Sequence, residues 1–408
     1  MTPTPSQGRH TFVRSRGHDA AMLEAPEVLV FFIDAGGGHG AAARALLAAA
    51  EAGTVPFRLE AVNLQSVLEP LDFWKRLTGH SIEEAYNALV RGGSTRFLVA
   101  LLRLLHAAIR LRHRALVRRL AEYLRGRRPA AVVSVMPNFN AVVRDAVREA
   151  HPDVPFVVLL TDFADFPPRF WIVGDLDRVI VGSELAERQA LELGLARDHV
   201  FRTSGMVLHP RFHPPPGREA GERFRHELGI GSAAFVVLLL FGGKGALEMD
   251  PLAGALLGAR EDWHVVAICG DNAPLLEAME RRSRASGGRL HALGFTHEVA
   301  AALAASDLLV AKPGPGVLAE AFHMRVPVIV TCNPSTVPQE RYNARFVAER
   351  GLGVVVRRWR EIPSAAAALA ADPARLREIR RSLEALPENR AVFEALRVID
   401  AEVNRGRG

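Results

Sequence analysis

Short apolar runs alternate with helical patterns along most of this 408-residue chain. Val28–Ile33, Phe156–Leu160 and Phe235–Phe241 are continuous apolar runs, and each is followed by glycine or polar residues. Apolar runs without polar alternation predict strands that are buried on both faces of a parallel sheet. The repeated alternation of strand and helix therefore predicts an α/β fold built from doubly wound parallel sheets.

The chain is long enough for two domains of this kind, and a Pro/Gly/His-rich stretch separates two strand–helix series. We expect an N-terminal Rossmann-like domain over residues 26–206, a linker over 207–220 and a C-terminal Rossmann-like domain over 221–385. Residues 1–25 have no hydrophobic segment of the kind found in secretion signals, so they are predicted to be a disordered leader. Residues 386–408 are expected to form a helix that crosses back to the first domain.

A Pro/Gly loop in the second half has the features of a phosphate site. The segment reads as a strand, a loop, a helix and a second strand: Leu308–Ala311, Lys312–Gly316, Val317–His323 and Val326–Val330. Gly314 and Gly316 have no Cβ, and the free N–H groups of the following helix favour a diphosphate. Glu320, one turn into the helix, is suited to the two hydroxyls of a ribose. A plain strand–turn–helix with a solvated Glu320 is the alternative.

Two further glycine loops follow apolar strands. The first contains Gly36, Gly37 and Gly38 and ends in His39, at the start of a predicted helix over Ala41–Ala52. A histidine titrates near neutral pH, as a general base requires. The second loop is Gly242-Gly243-Lys244-Gly245, which lacks the spacing of a P-loop.

Asp162 follows the apolar run Phe156–Leu160 and is the second candidate base. Open α/β sheets place their ligand-contacting groups at the carboxyl ends of strands, which is where this residue is predicted to lie. Asp175-Leu176-Asp177 has the form of a metal-binding DxD motif, but it lies in a polar turn, and we interpret it as coincidental. No other spacing of residues indicates a metal site, so no metal or other cofactor is expected.

A long basic helix interrupts the first half. The helical pattern runs over Thr95–Arg125, and ten arginines but one acidic residue, Glu122, lie between positions 96 and 128. Four of the arginines recur at helical spacing on one side: Arg103, Arg110, Arg114 and Arg118. A solvated helix face is one interpretation, and an interface with anionic lipid is the other.

Composition limits the class of partner. The formal net charge of +6 and the isoelectric point near 9.9 favour an anionic partner such as a phosphate, a nucleic acid or an acidic lipid. The two cysteines, Cys269 and Cys332, offer neither a disulfide framework nor a metal knuckle, which fits a reducing cytoplasm. No apolar run is long enough to span a bilayer.

The order of these motifs resembles a known family. Gly36–His39, Thr161–Asp162, Gly242–Gly245, Gly294–Phe295 and Lys312–Glu320, followed by Gln339–Glu340, are similar to the monogalactosyldiacylglycerol synthase-like group. That group includes processive diacylglycerol glycosyltransferases, and it is related to the N-acetylglucosaminyltransferase that makes the lipid-linked peptidoglycan precursor. The resemblance extends from about Val28 to Val356 and implies a GT-B fold, in which two Rossmann-like domains face each other across a cleft.

The resemblance also implies roles for individual residues. The C-terminal domain would bind a UDP-hexose, with Gly242 and Gly243 in a donor loop, Gly314, Pro315 and Gly316 at the diphosphate and Glu320 at the ribose. Phe295 would lie beside the uracil, and Gln339 and Glu340 would contact the sugar hydroxyls. Gly36, Gly37, Gly38 and His39 would lie near the acceptor hydroxyl. The sequence departs from the family at Met136-Pro137, at Phe163–Arg169 and at Lys244.

With these observations, the resemblance implies an inverting UDP-sugar-dependent hexosyltransferase that acts on diacylglycerol or a similar lipid at the inner face of the cell membrane. A UDP-sugar 2-epimerase, or a transferase with another acceptor, could share the fold. A non-catalytic module that binds nucleic acid or membranes is a third hypothesis, but basic residues are not interleaved with aromatic ones, and no nucleic acid is expected. The sequence does not indicate the hexose, the processivity or the oligomeric state.

Overall fold

The first half of the chain forms a parallel six-stranded sheet. The computed structural model describes residues 25–33, 37–68, 98–334 and 336–405, and for residues 54 and 98–104 it describes the backbone only. The strands are β1 (Glu27–Phe32), β2 (Arg58–Asn63), β3 (Ala131–Ser134), β4 (Phe156–Leu159), β5 (Arg178–Val181) and β6 (Val200–Arg202). Their order is β2-β1-β3-β4-β5-β6, so the direction of winding reverses between β1 and β3.

Helices cover both faces of this sheet. Those of the first half are α1 (Gly38–Ala49), α2 (Leu64–Leu68), α3 (Leu98–Arg125), α4 (Asn140–Ala150) and α5 (Glu184–Glu192). Successive residues of β1 point to opposite faces. Leu29 and Phe31 pack with α3 and α4, whereas Val28 and Val30 pack with α1. All four side chains are fully buried, which explains why the strand has no polar alternation.

The second half repeats the plan in the classical Rossmann order. Its strands are β7 (Phe235–Leu240), β8 (Trp263–Ile268), β9 (Leu290–Leu293), β10 (Leu308–Ala311), β11 (Val328–Thr331) and β12 (Gly353–Val356). The sheet order β9-β8-β7-β10-β11-β12 is parallel throughout and reverses its winding between β7 and β10. Ligands of such sheets bind at the carboxyl ends of the strands that flank the reversal.

The helices of the second half are α6 (Arg218–Glu227), α7 (Met249–Ala259), α8 (Ala273–Arg284), α9 (Val299–Ala304), α10 (Pro315–His323), α11 (Pro338–Glu349), α12 (Ile362–Ala371), α13 (Pro373–Glu384) and α14 (Ala391–Arg405). The last of these, α14, packs on the first sheet: Val392, Leu396 and Ile399 are buried with residues of β1 and α1. A buried ion pair joins Glu402 of α14 to Arg178 of β5 at 2.6 Å.

Several element boundaries differ from the predicted ones. The first helix begins at Gly38 rather than Ala41, so His39 lies inside its first turn. Helix α10 begins at Pro315 rather than Val317, because Gly314 is already the N-cap. The basic helix is described from Leu98, and the predicted residues 95–97 lie outside the described part. Nearly all of the predicted leader, residues 1–24, also lies outside it.

Candidate active site

The N-terminus of α10 lies at the switch point of the second sheet. Gly314 is the N-cap with extended backbone, and Pro315 has no N–H group. The N–H groups of Gly316 and Val317 are therefore first-turn donors without a partner in the helix. A Cβ on Gly316 would meet no atom within 4 Å, so the approach to these donors is open. The arrangement suits an anionic group such as a diphosphate.

Glu320 lies one turn further along α10. Burial raises the pKa of its carboxyl to about 7, and the nearby Arg211 guanidinium opposes this shift. Arg211 lies in the linker and reaches the loop after β9, where its Nη1 donates to Nδ1 and to the carbonyl oxygen of His297, at 3.0 and 3.2 Å. The neighbouring Phe295 is 59% exposed and meets the His297 ring at 5.1 Å. A flat, exposed ring next to His297, which Arg211 contacts, suits a stacked base.

The N-terminus of α11 borders the same opening. Gln339 has its Oε1 buried without a hydrogen-bond partner among the described residues, which indicates room for a ligand donor. The Glu340 carboxyl has its pKa raised to about 7, chiefly by burial and also by the charge of Asp162, while Lys312 lowers it. Asp162 belongs to the first domain, so the two carboxyls approach each other across the cleft. A Cβ on Gly314 would lie 3.8 Å from Oε1 of Glu340.

The third glycine loop follows β7, on the other side of the switch point. Gly242 has a φ of +79°, a left-handed conformation that favours glycine. The carbonyl oxygen of Gly243 accepts a 3.0 Å hydrogen bond from the Asp271 N–H, and a Cβ on Gly270 would come within 2.0 Å of that oxygen. Close packing of the loops after β7 and β8 therefore fixes Gly242 and Gly243 at the edge of the cleft.

His39 lies on the acceptor side, in the first turn of α1. Its Nδ1 is 2.9 Å from Oγ1 of Thr161, and its ring meets Trp171 edge-on at 5.5 Å. Burial lowers the pKa of the imidazole to about 4, against the effect of a hydrogen bond with the backbone at Val135. The ring is therefore neutral at pH 7, but it is a weaker base than the near-neutral histidine that the sequence predicts, because burial disfavours its protonated form. Gly37 and Gly38 have open space beside them, whereas Gly36 lies outside the described residues.

Asp162 lies next to Thr161 in the same cluster. Its Oδ2 accepts a 2.8 Å hydrogen bond from Nε1 of Trp171. Burial raises the pKa of Asp162 to about 6, the indole hydrogen bond lowers it and the charge of Asp165 raises it. Asp162 is therefore largely ionised at pH 7, with a basicity closer to neutrality than that of an ordinary aspartate.

Sequence reasoning missed two residues of the site, Trp171 and Arg211. Trp171 is held by Asp165, whose carboxylate oxygens accept the backbone N–H groups of Arg169 and Trp171 at 2.9 and 2.7 Å. In the sequence, Trp171 could have been recognised from the aromatic pair Phe170-Trp171, which follows Pro167-Pro168. Arg211 had no local signal, because it reaches the site from the linker.

The basic helix presents three of the four singled-out arginines to solvent. Arg110, Arg114 and Arg118 are exposed, and no ion pair joins them to an acid among the described residues, while the side chain of Arg103 lies outside the described part. Leu111 between them is 87% exposed. The apolar stripe, in contrast, is used internally: Ile109, Leu116, Val117, Leu120 and Leu124 are buried in the first core. A docking face on α3 would therefore consist of arginines and Leu111 rather than of that stripe.

The DxD sequence, Asp175-Leu176-Asp177, lies immediately before β5. It is therefore at the amino ends of the strands of the first sheet, whereas the cleft is at their carboxyl ends. Asp175 pairs with Arg148 at 2.6 Å, and Asp177 accepts the backbone N–H of Phe156 at 2.9 Å. Within the described ranges no group of three or more His, Cys, Asp or Glu side chains is placed to hold a metal ion. Likewise, no described helix is long and apolar enough to cross a membrane.

Comparisons with known proteins agree with this geometry. Residues 237–376 match the glycosyltransferase family 28 C-terminal domain. A processive diacylglycerol beta-glucosyltransferase of Bacillus licheniformis is 25% identical over 66% of this chain and 68% of its own length. Monogalactosyldiacylglycerol synthase 2 of Arabidopsis thaliana is 26% identical over 93% of this chain and 81% of its own length. The N-acetylglucosamine transferase of Desulforudis audaxviator that acts on pyrophosphoryl-undecaprenol is 32% identical over 45% and 53%.

Solved structures share the whole fold at low identity. Acinetobacter baumannii MurG aligns with a TM-score of 0.57 at 14% identity, over 92% of this chain and 99% of its own. Arabidopsis thaliana UGT89C1 complexed with UDP aligns with a TM-score of 0.58 at 16% identity, over 93% of this chain and 99% of its own. UDP-GlcNAc 2-epimerase of Neisseria meningitidis aligns with a TM-score of 0.55 at 12% identity, over 93% of this chain and 100% of its own. The fold is therefore shared by transferases and epimerases, and it does not by itself separate the two.

Two facing parallel-sheet domains with a cleft between their carboxyl edges define the GT-B class, and the predicted fold is confirmed. The chain is a glycosyltransferase. Its residues 237–376 match the glycosyltransferase family 28 C-terminal domain, and the resemblance to the monogalactosyldiacylglycerol synthase-like group is confirmed.

Proposed function

We propose that this enzyme transfers a hexose from a UDP-sugar to a lipid hydroxyl, with diacylglycerol as the acceptor and with inversion at the anomeric carbon. The observation that carries the proposal is the open N-terminus of α10 with the buried Glu320 one turn behind it. The names of the relatives, a diacylglycerol glucosyltransferase and a monogalactosyldiacylglycerol synthase, support the acceptor class.

The donor would lie along the second domain. The diphosphate would accept hydrogen bonds from the first-turn N–H groups at Gly316 and Val317, which carry the positive end of the helix dipole. Glu320 would accept the ribose hydroxyls, Phe295 would stack beside the uracil, and Gln339 with Glu340 would bind the hexose hydroxyls. Gln339 has a buried oxygen that lacks a protein donor, and a sugar hydroxyl would supply one.

Transfer would proceed in one displacement. The acceptor oxygen forms a bond to the anomeric carbon as its proton passes to Asp162 or His39, and the bond from that carbon to the diphosphate oxygen breaks. The electron pair leaves with UDP. The developing charge on the diphosphate is stabilised by the α10 N–H groups, which are fixed in place before the reaction begins. Lys312, whose Nζ lies 5.8 Å from the ring centre of Phe241, adds a cation near Glu340 and the same opening.

A lipid acceptor has to be reached at a membrane surface. The exposed arginines of α3 lie on the acceptor domain, and each basic side chain near an anionic surface contributes about 1 kcal/mol to binding. We therefore propose peripheral association with the inner face of the cell membrane through Arg110, Arg114 and Arg118. Leu111 would add an apolar contact at the centre of this face.

The test is a transfer assay with labelled UDP-glucose, UDP-galactose and UDP-N-acetylglucosamine, each with and without diacylglycerol in anionic vesicles. The expected result is a labelled glycolipid that forms only when diacylglycerol is present, and that is β-linked by NMR when the donor is α-linked. An α-linked product would contradict inversion. An epimerised UDP-sugar without glycolipid would support the epimerase instead.

A further inference from the structure

Phe163 is a residue of the first domain that packs in the core of the second. It follows Asp162 directly, after strand β4, yet its side chain is 5% exposed and belongs to the hydrophobic cluster of the C-terminal domain. Its carbonyl oxygen accepts a hydrogen bond from the Ser183 hydroxyl at the start of α5. The backbone of Phe163 is thus held by the first domain, while its ring is held by the second.

The partners of the ring are the two helices that border the donor opening. The Phe163 ring lies 6.4 Å from that of Phe322 in α10 and 5.4 Å from that of Phe346 in α11. Phe322 and Phe346 also contact each other at 6.1 Å, so the three rings form one cluster. Helix α10 carries Glu320 and helix α11 carries Gln339 and Glu340.

We propose that Phe163 is a positioning residue, which fixes the Asp162 carboxylate relative to the donor helices through its packing between Phe322 and Phe346. The inference rests on the proposed function, with Asp162 rather than His39 as the group that accepts the proton of the acceptor hydroxyl. Asp162 is held on its other side by the Trp171 indole. Asp162 therefore cannot turn away from the donor without breaking either its hydrogen bond with Trp171 or the packing of the Phe163 ring.

A graded set of substitutions separates positioning from general stability. In Phe163→Leu, Phe163→Val and Phe163→Ala the side chain becomes progressively smaller, so kcat should fall in that order, by about 10- to 100-fold for alanine. UDP affinity measured by calorimetry should stay within about twofold, because no donor-binding group is removed. The leucine variant still fills most of the space, so it should retain most of the activity. If the alanine variant fails to fold, the kcat of the valine variant tests the proposal instead.

Phe235→Ala is the matched control. Phe235 is a partly buried phenylalanine of the second domain that stacks on Trp263 at 5.3 Å, at the amino end of β7 and therefore at the edge of the sheet opposite the cleft. Its loss removes the same number of atoms from the same domain core, but it should leave kcat within about twofold of the wild type. An equal fall in kcat for Phe235→Ala would show that destabilisation alone explains the effect, and would overturn the proposal.

The decisive measurement combines Phe163→Val with Asp162→Asn. If Phe163 acts through Asp162, it should have little further effect on kcat once the carboxylate is gone, so the two effects should be strongly non-additive. Additive effects would overturn the inference, as would wild-type kcat in Asp162→Asn or a parallel loss of UDP affinity and kcat in the Phe163 series. Failure of the proposed function would look different, because the wild-type protein itself would then form no glycolipid.

Discussion

The indole Nε1 of Trp171 donates a 2.8 Å hydrogen bond to Oδ2 of Asp162, and the same indole meets the imidazole of His39 edge-on at 5.5 Å. One side chain therefore positions both candidate bases of the acceptor domain. The two bases have pKa values displaced in opposite directions by the same cause, burial, to about 6 for Asp162 and about 4 for His39. This difference allows the two roles to be separated by experiment.

The pH dependence of kcat/KM identifies the base. A general base works when it is unprotonated, so activity falls as the pH drops through its pKa in the free enzyme. With Asp162 as the base, the acidic limb should have its midpoint near pH 6, and with His39 it should lie near pH 4. Our structure-based expectation is a midpoint near pH 6 that disappears in Asp162→Asn. A limb that persists unchanged in that variant would assign the proton to another group.

If His39 rather than Asp162 is the base, His39→Ala should lower turnover much more than donor affinity. A general base contributes about 100- to 10,000-fold to rate and little to ground-state binding. Calorimetric titration with UDP should therefore give nearly the wild-type affinity. A loss of UDP affinity in proportion to the loss of rate would mean that His39 binds the donor phosphates, and would leave Asp162 as the base.

Glu320→Gln should weaken UDP binding and remove part of its pH dependence. The pKa of Glu320 is raised to about 7, so the carboxylate that accepts ribose hydroxyls is fully formed only above that pH. UDP affinity of the wild type should thus rise as the pH increases from 6 to 8. Loss of a charged hydrogen bond costs about 1.5–3 kcal/mol, or about 10- to 150-fold at pH 8.

Glu277→Gln, at an exposed position of α8, is the control for the charge change and should bind UDP as the wild type does. Equal UDP affinity in Glu320→Gln and the wild type at pH 8 would remove Glu320 from the ribose site. A flat pH dependence in the wild type would contradict the ionisation argument alone.

Turnover should be independent of divalent metal ions. Helix α10 offers N–H donors to the diphosphate, and Asp175 and Asp177 are engaged with Arg148 and with the backbone of Phe156. Activity in EDTA should match activity in magnesium or manganese, and Asp175→Asn should behave as the wild type. Loss of activity in EDTA that added metal restores would require metal ligands at the donor.

Binding to anionic vesicles should depend on the arginines of α3. Changing Arg110, Arg114 and Arg118 to Gln should reduce binding to phosphatidylglycerol vesicles by about 3 kcal/mol, or about 100-fold at low salt. Higher salt should weaken the wild-type interaction, because the attraction is screened over about 8 Å at physiological ionic strength. Co-sedimentation gives both readings.

The control for this triple variant carries the same charge change on the donor domain, with the exposed Arg223, Arg377 and Arg381 changed to Gln. It should bind vesicles as the wild type does. Equal weakening by both triple variants would point to net charge rather than to α3, and no preference for anionic over zwitterionic vesicles would place docking elsewhere.

Local sequence was sufficient where structure depends on neighbours along the chain. The strand–loop–helix unit around Gly314 and the position of Asp162 after β4 were predictable, because apolar runs, glycines and helix starts are local signals. Trp171 and Arg211 were not, since their partners are brought close by the fold alone. The apolar stripe of α3 was also ambiguous, because the same periodicity suits a protein core and a lipid surface.

The return of α14 to the first sheet has a consequence for synthesis of the chain on the ribosome. Val392, Leu396 and Ile399 cover one face of that sheet, and Glu402 neutralises Arg178 inside it. These residues are synthesised only after the entire second domain. Of the two domains, the N-terminal one is therefore synthesised before the other but completed after it, and part of one face of its sheet stays uncovered until α14 has been translated.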